Sequence, residues 1–203
     1  MNNNSQRPLF LLDIDGVTNA FDGWVFAEDE WMTRTFDKPY KHRVAPEGYR
    51  ADNANGYNLL IPEGLPEWIA EIEDTGLDPV WATMWQKTAT THFAPAAGFG
   101  HDWDYVDFHS FHQSGAWRSA GMTGLGVGGY KHLGLAEVAE GVPAVVIDDD
   151  LGEVNYQWAA ERNAAGIPTL LIQPDPRVGI TREHVDQVLE FARQFETTVS
   201  ATA

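Results

Sequence analysis

The segment Leu9-Phe10-Leu11-Leu12-Asp13-Ile14-Asp15-Gly16-Val17 decides the fold that this chain is expected to adopt. Its four leading apolar residues are typical of a buried strand, which we expect over residues 8–13. Side chains two residues apart on a strand point to the same side, so Asp13 and Asp15 are directed at one place. Ligands of open α/β sheets bind just beyond the carboxyl ends of the strands. The segment therefore predicts a polar site at the end of a buried strand.

The two carboxylates indicate a bound cation. Like charges at close range repel unless a cation or a proton lies between them, and Mg²⁺ takes oxygen ligands of this kind together with substrate phosphates. The letters D-x-D-G also begin calcium-binding loops. Here Val17 occupies the fifth loop position, and no glutamate follows at the distance of a bidentate calcium ligand. The pattern favours a metal and phosphate site in which one acid is free to act as a nucleophile.

Composition narrows the class of protein. A chain of 203 residues with 43% hydrophobic residues fits one domain, with or without an inserted flap. The sequence contains no cysteine, which excludes disulfide bonds, thiolate nucleophiles and cysteine-ligated zinc. No apolar stretch approaches the length of a membrane span, and the polar first six residues do not resemble a signal peptide. A cytoplasmic protein without membrane association is expected.

Charge bears on the partner. With 13 basic and 30 acidic residues the net charge is -17, which repels polyphosphate backbones. A small phosphorylated substrate is therefore expected, and a nucleic-acid end is possible but disfavoured. Five basic residues nevertheless fall within residues 34–50, which is either an ordinary solvated loop or a basic lid for an anionic substrate. These residues are Arg34, Lys38, Lys41, Arg43 and Arg50, of which Arg43 is the candidate for substrate binding.

The rest of the hydrophobic pattern alternates strands with helices, which implies parallel βαβ units in a doubly wound, Rossmann-like α/β sheet. A β-hairpin flap is expected within residues 23–62, where segments 24–26 and 57–61 alternate in polarity. A single domain over residues 8–196 is expected, with disordered tails at 1–7 and 197–203. Further strands are predicted at 79–83, 103–108, 143–147 and 169–172, and helices at 67–75, 87–97, 131–140, 153–165 and 181–195.

The first segment resembles the opening motif of the haloacid dehalogenase (HAD) superfamily of phosphotransferases, an apolar strand followed by Asp-x-Asp-Gly-Val/Thr. The other motifs of that superfamily have counterparts in the same order. Thr83, in Trp81-Ala82-Thr83-Met84-Trp85, closes the second predicted strand. Lys131 begins a predicted helix, and Asp148-Asp149-Asp150 follow the apolar run that ends at Ile147. Taken alone, each is equally typical of a helix cap, a surface lysine or a solvated strand end. Their order favours the resemblance over residues 9–172.

The resemblance implies a small HAD-type phosphatase that uses Mg²⁺ and an aspartyl-phosphate intermediate. Asp13 would be the nucleophile and Asp15 the general acid and base. Mg²⁺ would be held by the Asp13 carboxylate, the Asp15 backbone carbonyl, and Asp148 with or without Asp149. Which of the three final acids binds the metal directly is left open, with Asp148 preferred because it ends the strand.

Other residues are implied around the phosphoryl group. The Thr83 hydroxyl would donate to a phosphoryl oxygen, and Lys131 would neutralise developing charge. The backbone amides of Asp15, Gly16 and Val17 are candidates for a phosphate nest. The candidate substrate-binding residues are Gly16, Val17, Met84 and Arg43.

Two further patterns receive conservative interpretations. Residues 124–129 match G-x-G-x-x-G, but no strand precedes them, so we expect a flexible loop that presents Lys131. The histidines and aspartates between His101 and His112 would face different ways along one short strand, which favours ordinary surface residues over a second metal site.

The expected function is hydrolysis of a phosphomonoester, such as a nucleotide, a sugar phosphate or a polynucleotide end. Two alternatives stay open. One is a HAD-fold binding or regulatory module with little turnover, and the other is a phosphotransferase that uses an acceptor other than water.

Overall fold

In a computed structural model of the protein, the described residues are 7–20, 45–110 and 127–196, with the backbone alone described at 127–130 and 196. Both predicted tails fall largely outside this part of the chain. So do the predicted strand 24–26 and the basic residues 34–43. The described residues form seven strands: β1 (Leu9–Leu12), β2 (Tyr49–Ala54), β3 (Tyr57–Pro62), β4 (Asp78–Trp81), β5 (Asp104–Tyr105), β6 (Ala144–Ile147) and β7 (Thr169–Ile172).

A five-stranded parallel sheet forms the centre of the fold, with strand order β5-β4-β1-β6-β7. Strand β1 lies in the middle and pairs in register with both neighbours, so that Leu12 is opposite Trp81 of β4 and Ile147 of β6. All four residues of β1 and of β6 are buried, as their unbroken apolar runs predict. The carboxyl ends of β1, β4 and β6 consequently meet at one edge of the sheet.

Helices surround this sheet. Alternate residues of β1 enter two different apolar clusters, because successive side chains of a strand point to opposite faces. The described helices are α1 (Leu65–Glu73), α2 (Ala94–Ala97), α3 (Val127–Val138), α4 (Glu153–Ala164) and α5 (Arg182–Glu196), and a π-helical segment, Ala89–Phe93, leads into α2. Phe10 and Leu12 belong to a cluster with residues of α1 and α5, whereas Leu9 and Leu11 belong to one with residues of α3. The fold is therefore α/β.

The predicted hairpin is present as a separate antiparallel sheet of β2 and β3. The partner of β3 is β2, a segment that the alternating polarity of residues 23–62 does not single out as a strand. The two strands pair because they are joined by the two-residue turn Asn55-Gly56, in which both residues have positive φ, 50° and 90°. Such a turn connects directly adjacent strands, so the strand before it must be the partner.

The hairpin is attached to the rest of the domain at several points. The Arg50 guanidinium donates to the carbonyl oxygens of Ala96 and Ala97, at 2.7 and 2.9 Å. The Tyr49 hydroxyl donates to the carbonyl oxygen of Val178 at 2.8 Å. The amide of Ala20 donates to the carbonyl oxygen of Leu60 at 2.9 Å. The β2–β3 hairpin is thus held against α2, the segment around Val178 and the loop that follows β1.

Helix α3 begins at Val127, earlier than the predicted start at residue 131. Glycine has low helix propensity, so Gly128 and Gly129 favour a loop in the sequence although the helix includes both. Lys131 therefore lies in the second turn of the helix rather than at its start. No helix in the described ranges combines the length and apolar character needed to cross a membrane.

Candidate active site

The sheet edge formed by β1, β4 and β6 brings together four of the residues singled out in the sequence. Asp13 and Asp148 directly follow β1 and β6, and Thr83 lies two residues beyond β4. Lys131 reaches the same place from α3. All four are buried, with exposed fractions between 1% and 4%. Segments that are distant in sequence therefore converge on one polar site.

Lys131 bridges two carboxylates at the centre of this site. Its Nζ lies 2.6 Å from Oδ2 of Asp13 and 2.8 Å from Oδ2 of Asp148. The other Asp13 oxygen accepts a hydrogen bond from the Ile14 amide at 2.8 Å. Oδ1 of Asp148 accepts one from the Asp150 amide at 2.9 Å. Both carboxylates are thus held in fixed orientations.

The acids at this site have altered proton affinities. Burial raises the pKa of Asp13 to about 7, and the neighbouring Asp148 carboxylate acts in the same direction. Lys131 and a hydrogen bond from Thr83 oppose this increase. Burial raises the pKa of Asp149 to about 6, with a further increase from Asp148. Burial alone would lower the pKa of Lys131, but Asp13 and Asp148 raise it above its usual range. The lysine therefore stays charged. Its single positive charge lies beside the carboxyl groups of Asp13, Asp148 and Asp149.

The excess of acid over base fits a hard cation. Asp13, Asp148 and Asp149 each offer an oxygen, and these oxygens lie within 4.8 Å of one another. Small movements would bring them into one coordination shell of the kind that Mg²⁺ or another oxygen-seeking cation takes. Asp150 is exposed, contacts Asp148 through its amide and does not belong to the group. These positions favour Asp148 and Asp149 over Asp150.

Gly16 allows the loop after β1 to approach the Asp149 carboxylate. Its φ is +73°, a conformation that side-chain-bearing residues rarely adopt. A Cβ at this position would lie 2.3 Å from the carboxyl carbon of Asp149. Both the backbone conformation and the lack of space therefore require glycine.

The turn that follows Asp15 uses two of the amides expected to bind phosphate. The Gly16 amide donates to the carbonyl oxygen of Asn19 at 2.9 Å, and the Val17 amide donates to that of Ile14 at 3.2 Å. The Asp15 amide makes no hydrogen bond to another described residue. Of the three candidate amides, it is the one that could bind a phosphate oxygen without losing a hydrogen bond of the turn.

The Asp15 carboxylate does not join the group of three acids and has its own two donors. Trp85 Nε1 donates to its Oδ2 at 2.8 Å, and Asn19 Nδ2 donates to its Oδ1 at 3.0 Å. The Asn19 side chain also accepts a hydrogen bond from the Leu60 amide of β3 at 2.9 Å. Asn19 was not among the predicted site residues. No local signal in the sequence identifies it, since Leu60, one of its two partners, lies 41 residues away.

Other predicted residues have different surroundings. Met84 is half-buried and packs against the apolar cluster that contains Leu11 and Ala82. Arg50, one of the five basic residues, binds Asp52 and the end of α2, and Arg43 lies outside the described residues. Within the described part of the chain, none of the residues between His101 and His109 belongs to a possible metal-binding group.

Comparison with known proteins adds no further assignment. A scan against protein-family models gave no match to this chain, and a search of curated proteins gave none either.

Proposed function

We propose that the protein is a Mg²⁺-dependent phosphohydrolase of HAD type, which cleaves a phosphomonoester through an aspartyl-phosphate intermediate. The observation that carries the proposal is the buried contact of Asp13 and Asp148 with Lys131, beside Asp149. Asp13 and Asp148 are buried and share Lys131, and Asp149 is close enough to bind the same metal ion as they would. This arrangement suits a site that binds and transfers anionic phosphoryl groups. The resemblance of the four sequence motifs supports the same assignment.

A doubly wound fold is part of this proposal. The order β5-β4-β1-β6-β7 runs outward from β1 in both directions along the chain. If both sets of crossovers are right-handed, the helices fall on opposite faces, in agreement with the two apolar clusters on either side of β1. Ligands of such sheets bind where the direction of winding reverses, and Asp13 follows the strand at that position.

In the first half of the reaction, a carboxylate oxygen of Asp13 attacks phosphorus. An oxygen–phosphorus bond forms while the bond to the ester oxygen breaks, and Asp15 gives its proton to that oxygen, so that an alcohol leaves. Lys131 and the Thr83 hydroxyl stabilise negative charge on Asp13 and on the phosphoryl oxygens.

In the second half, Asp15 takes a proton from water while the water oxygen bonds to phosphorus. The bond between Asp13 and phosphorus breaks, and inorganic phosphate leaves. Asp13 is again a free carboxylate and Asp15 is again protonated, so the cycle balances.

The residues present fit a magnesium ion, which Asp13, Asp148, Asp149 and the Asp15 carbonyl would hold. When bound, the ion supplies positive charge that offsets the charge of the phosphoryl group. It would also reduce the repulsion that remains among the three acids once Lys131 has paired with Asp13 and Asp148.

The test is phosphate release from a panel of phosphomonoesters, with Mg²⁺ and with a chelator. The panel contains p-nitrophenyl phosphate, nucleotides, sugar phosphates and oligonucleotides with terminal phosphates. Asp13→Asn keeps the shape of the side chain but removes the nucleophile, so we expect it to lose nearly all turnover. Asp78→Asn is the matched control, because Asp78 is exposed at the opposite end of the sheet.

Each outcome has a defined meaning. Metal-dependent release that Asp13→Asn abolishes and Asp78→Asn retains supports the proposal. Wild-type activity in Asp13→Asn contradicts the mechanism. No release from any substrate by a folded protein that binds Mg²⁺ favours a binding module, and phosphate appearing on an added alcohol identifies a phosphotransferase.

A further inference from the structure

The indole of Trp85 lies between the hairpin and the carboxylate of Asp15. Its Nε1 donates to Oδ2 of Asp15 at 2.8 Å. The Tyr57 ring, next to the hairpin turn, contacts the indole with ring centres 5.2 Å apart. Phe93 of the π-helical segment makes an edge contact with it, with ring centres 5.9 Å apart and planes at 68°. The indole is therefore fixed by two aromatic contacts, and its one polar atom is directed at an acid.

An indole N–H is suited to orienting a carboxyl group, because it can donate but cannot accept. Trp85 occupies a lone pair on one Asp15 oxygen and Asn19 occupies a lone pair on the other. Each oxygen keeps a second lone pair, so the carboxyl group can carry or accept a proton while both hydrogen bonds remain. The two donors therefore fix the plane of the carboxyl group without preventing it from giving or taking a proton.

We propose that Trp85 is a positioning residue for proton transfer by Asp15, holding that carboxyl group in the orientation from which it protonates the leaving oxygen. This inference rests on the proposed function and adds to it a residue that no sequence motif identified in this role. Tyr57 and Phe93 act through Trp85 by fixing the ring. The hairpin thereby contributes to the geometry of the acid through the contact between Tyr57 and Trp85.

A purely structural role for Trp85 makes a different prediction. Trp85 packs against the larger apolar cluster, and Trp85→Phe keeps an aromatic ring there while removing only the donor. If packing were the whole role, this variant would change stability, or the rates of all substrates by one factor. If the donor orients a general acid, the loss depends on how strongly the leaving group needs a proton.

The experiment compares kcat/KM for two phosphomonoesters, since this ratio reports on the steps up to departure of the leaving group. p-Nitrophenyl phosphate releases a phenolate that is stable without protonation, whereas an alkyl phosphate such as glycerol phosphate releases an alkoxide that needs a proton. A misplaced catalytic group costs up to about 100-fold in rate. We expect Trp85→Phe to lower kcat/KM about 10- to 100-fold for the alkyl phosphate and less than about 3-fold for the nitrophenyl ester.

The matched control is Trp103→Phe. Trp103 also donates from Nε1 to a carboxylate, Oε1 of Glu73 at 2.8 Å, but that acid belongs to α1. This variant removes the same kind of hydrogen bond elsewhere, and we expect the ratio of the two kcat/KM values to stay as in the wild type.

The outcomes separate this inference from the proposed function. An active wild type with an unchanged substrate ratio in Trp85→Phe overturns the role of Trp85 and leaves the phosphatase proposal standing. A wild type inactive on every substrate overturns both. A ratio that changes in Trp85→Phe and not in Trp103→Phe supports the inference.

Discussion

At the scale of single residues, Gly16 lies in the candidate site at a position where the structure has no room for a side chain. Two separate costs apply to any side chain here, the left-handed backbone and the contact with the Asp149 carboxylate. The two costs can be separated, because Gly141 has nearly the same φ, +70°, with no atom within 4 Å of a Cβ placed on it.

We therefore predict that Gly16→Ala and Gly141→Ala each lose about 1 kcal/mol of unfolding free energy from backbone strain. Gly16→Ala should additionally lose metal affinity, because the new methyl group displaces the Asp149 carboxylate. Urea unfolding and Mg²⁺ titration by calorimetry measure the two effects. Equal Mg²⁺ affinity in the two variants would show that the contact with Asp149 does not matter.

At the scale of elements, the start of α5 depends on a histidine. Nδ1 of His184 accepts a hydrogen bond from the Thr181 amide at 3.1 Å, the role that Glu or Gln plays in a capping box. This nitrogen must be unprotonated to accept. Burial lowers the pKa of His184 below its usual value, and Glu183 partly opposes this. The folded state therefore favours the neutral ring.

The sign of the pH dependence follows from that direction. The unfolded chain binds the proton more readily, so the stabilising contribution of His184 is fully present above about pH 6.5 and is lost as the pH falls below it. We predict that, between pH 7.5 and 5.5, the unfolding free energy of the wild type falls by about 0.5–1 kcal/mol more than that of His184→Gln. This difference is the typical contribution of a helix cap to stability. Urea unfolding at the two pH values measures this. Parallel losses in both proteins would exclude a role for His184.

The attachment of the hairpin gives a second prediction at this scale. Arg50 joins β2 to the carboxyl end of α2 through two carbonyl oxygens. Arg50→Ala should cost about 1 kcal/mol and accelerate amide hydrogen exchange in the hairpin, measured by mass spectrometry. Arg193→Ala is the control, because Arg193 is exposed and, among the described residues, its ion pair is with Glu190 three residues before it. We expect this variant to lose less than about 0.5 kcal/mol. Unchanged exchange in Arg50→Ala would show that other contacts suffice.

The elements also show how far the sequence determines what can be predicted. Strands β1 and β6 were identified because both faces are buried and their residues are uniformly apolar, and Asp13 and Asp148 followed from them. The start of α3 was predicted wrongly, because Gly128 and Gly129 favour a loop by local propensity although the helix includes them. The pairing of β2 with β3 follows from the Asn55-Gly56 turn, which the polarity pattern of residues 23–62 does not reveal. Asn19 depends on a contact with the hairpin, which no local pattern encodes.

At the scale of the whole molecule, a net charge of -17 means that any added cation reduces self-repulsion. Binding at a site has a different signature, since a ligand that binds only the folded state stabilises it in proportion to ln(1 + [L]/Kd). We predict that Mg²⁺ raises Tm more than NaCl of equal ionic strength does. Asp148→Asn should abolish that excess and keep the general salt effect. Differential scanning calorimetry measures both, and equal effects of the two salts on wild type would argue against a metal site.

The bridge formed by Lys131 has a consequence for how this protein is made. Its ammonium group already draws Asp13 and Asp148 to a common point, so a newly synthesised chain can assemble this edge of the sheet without waiting for an ion. Small zinc domains reach their native shape only when the metal arrives. If the proposed magnesium site is correct, we expect this chain to fold before it binds the ion, so that a shortage of metal in the cell would leave a folded but inactive protein.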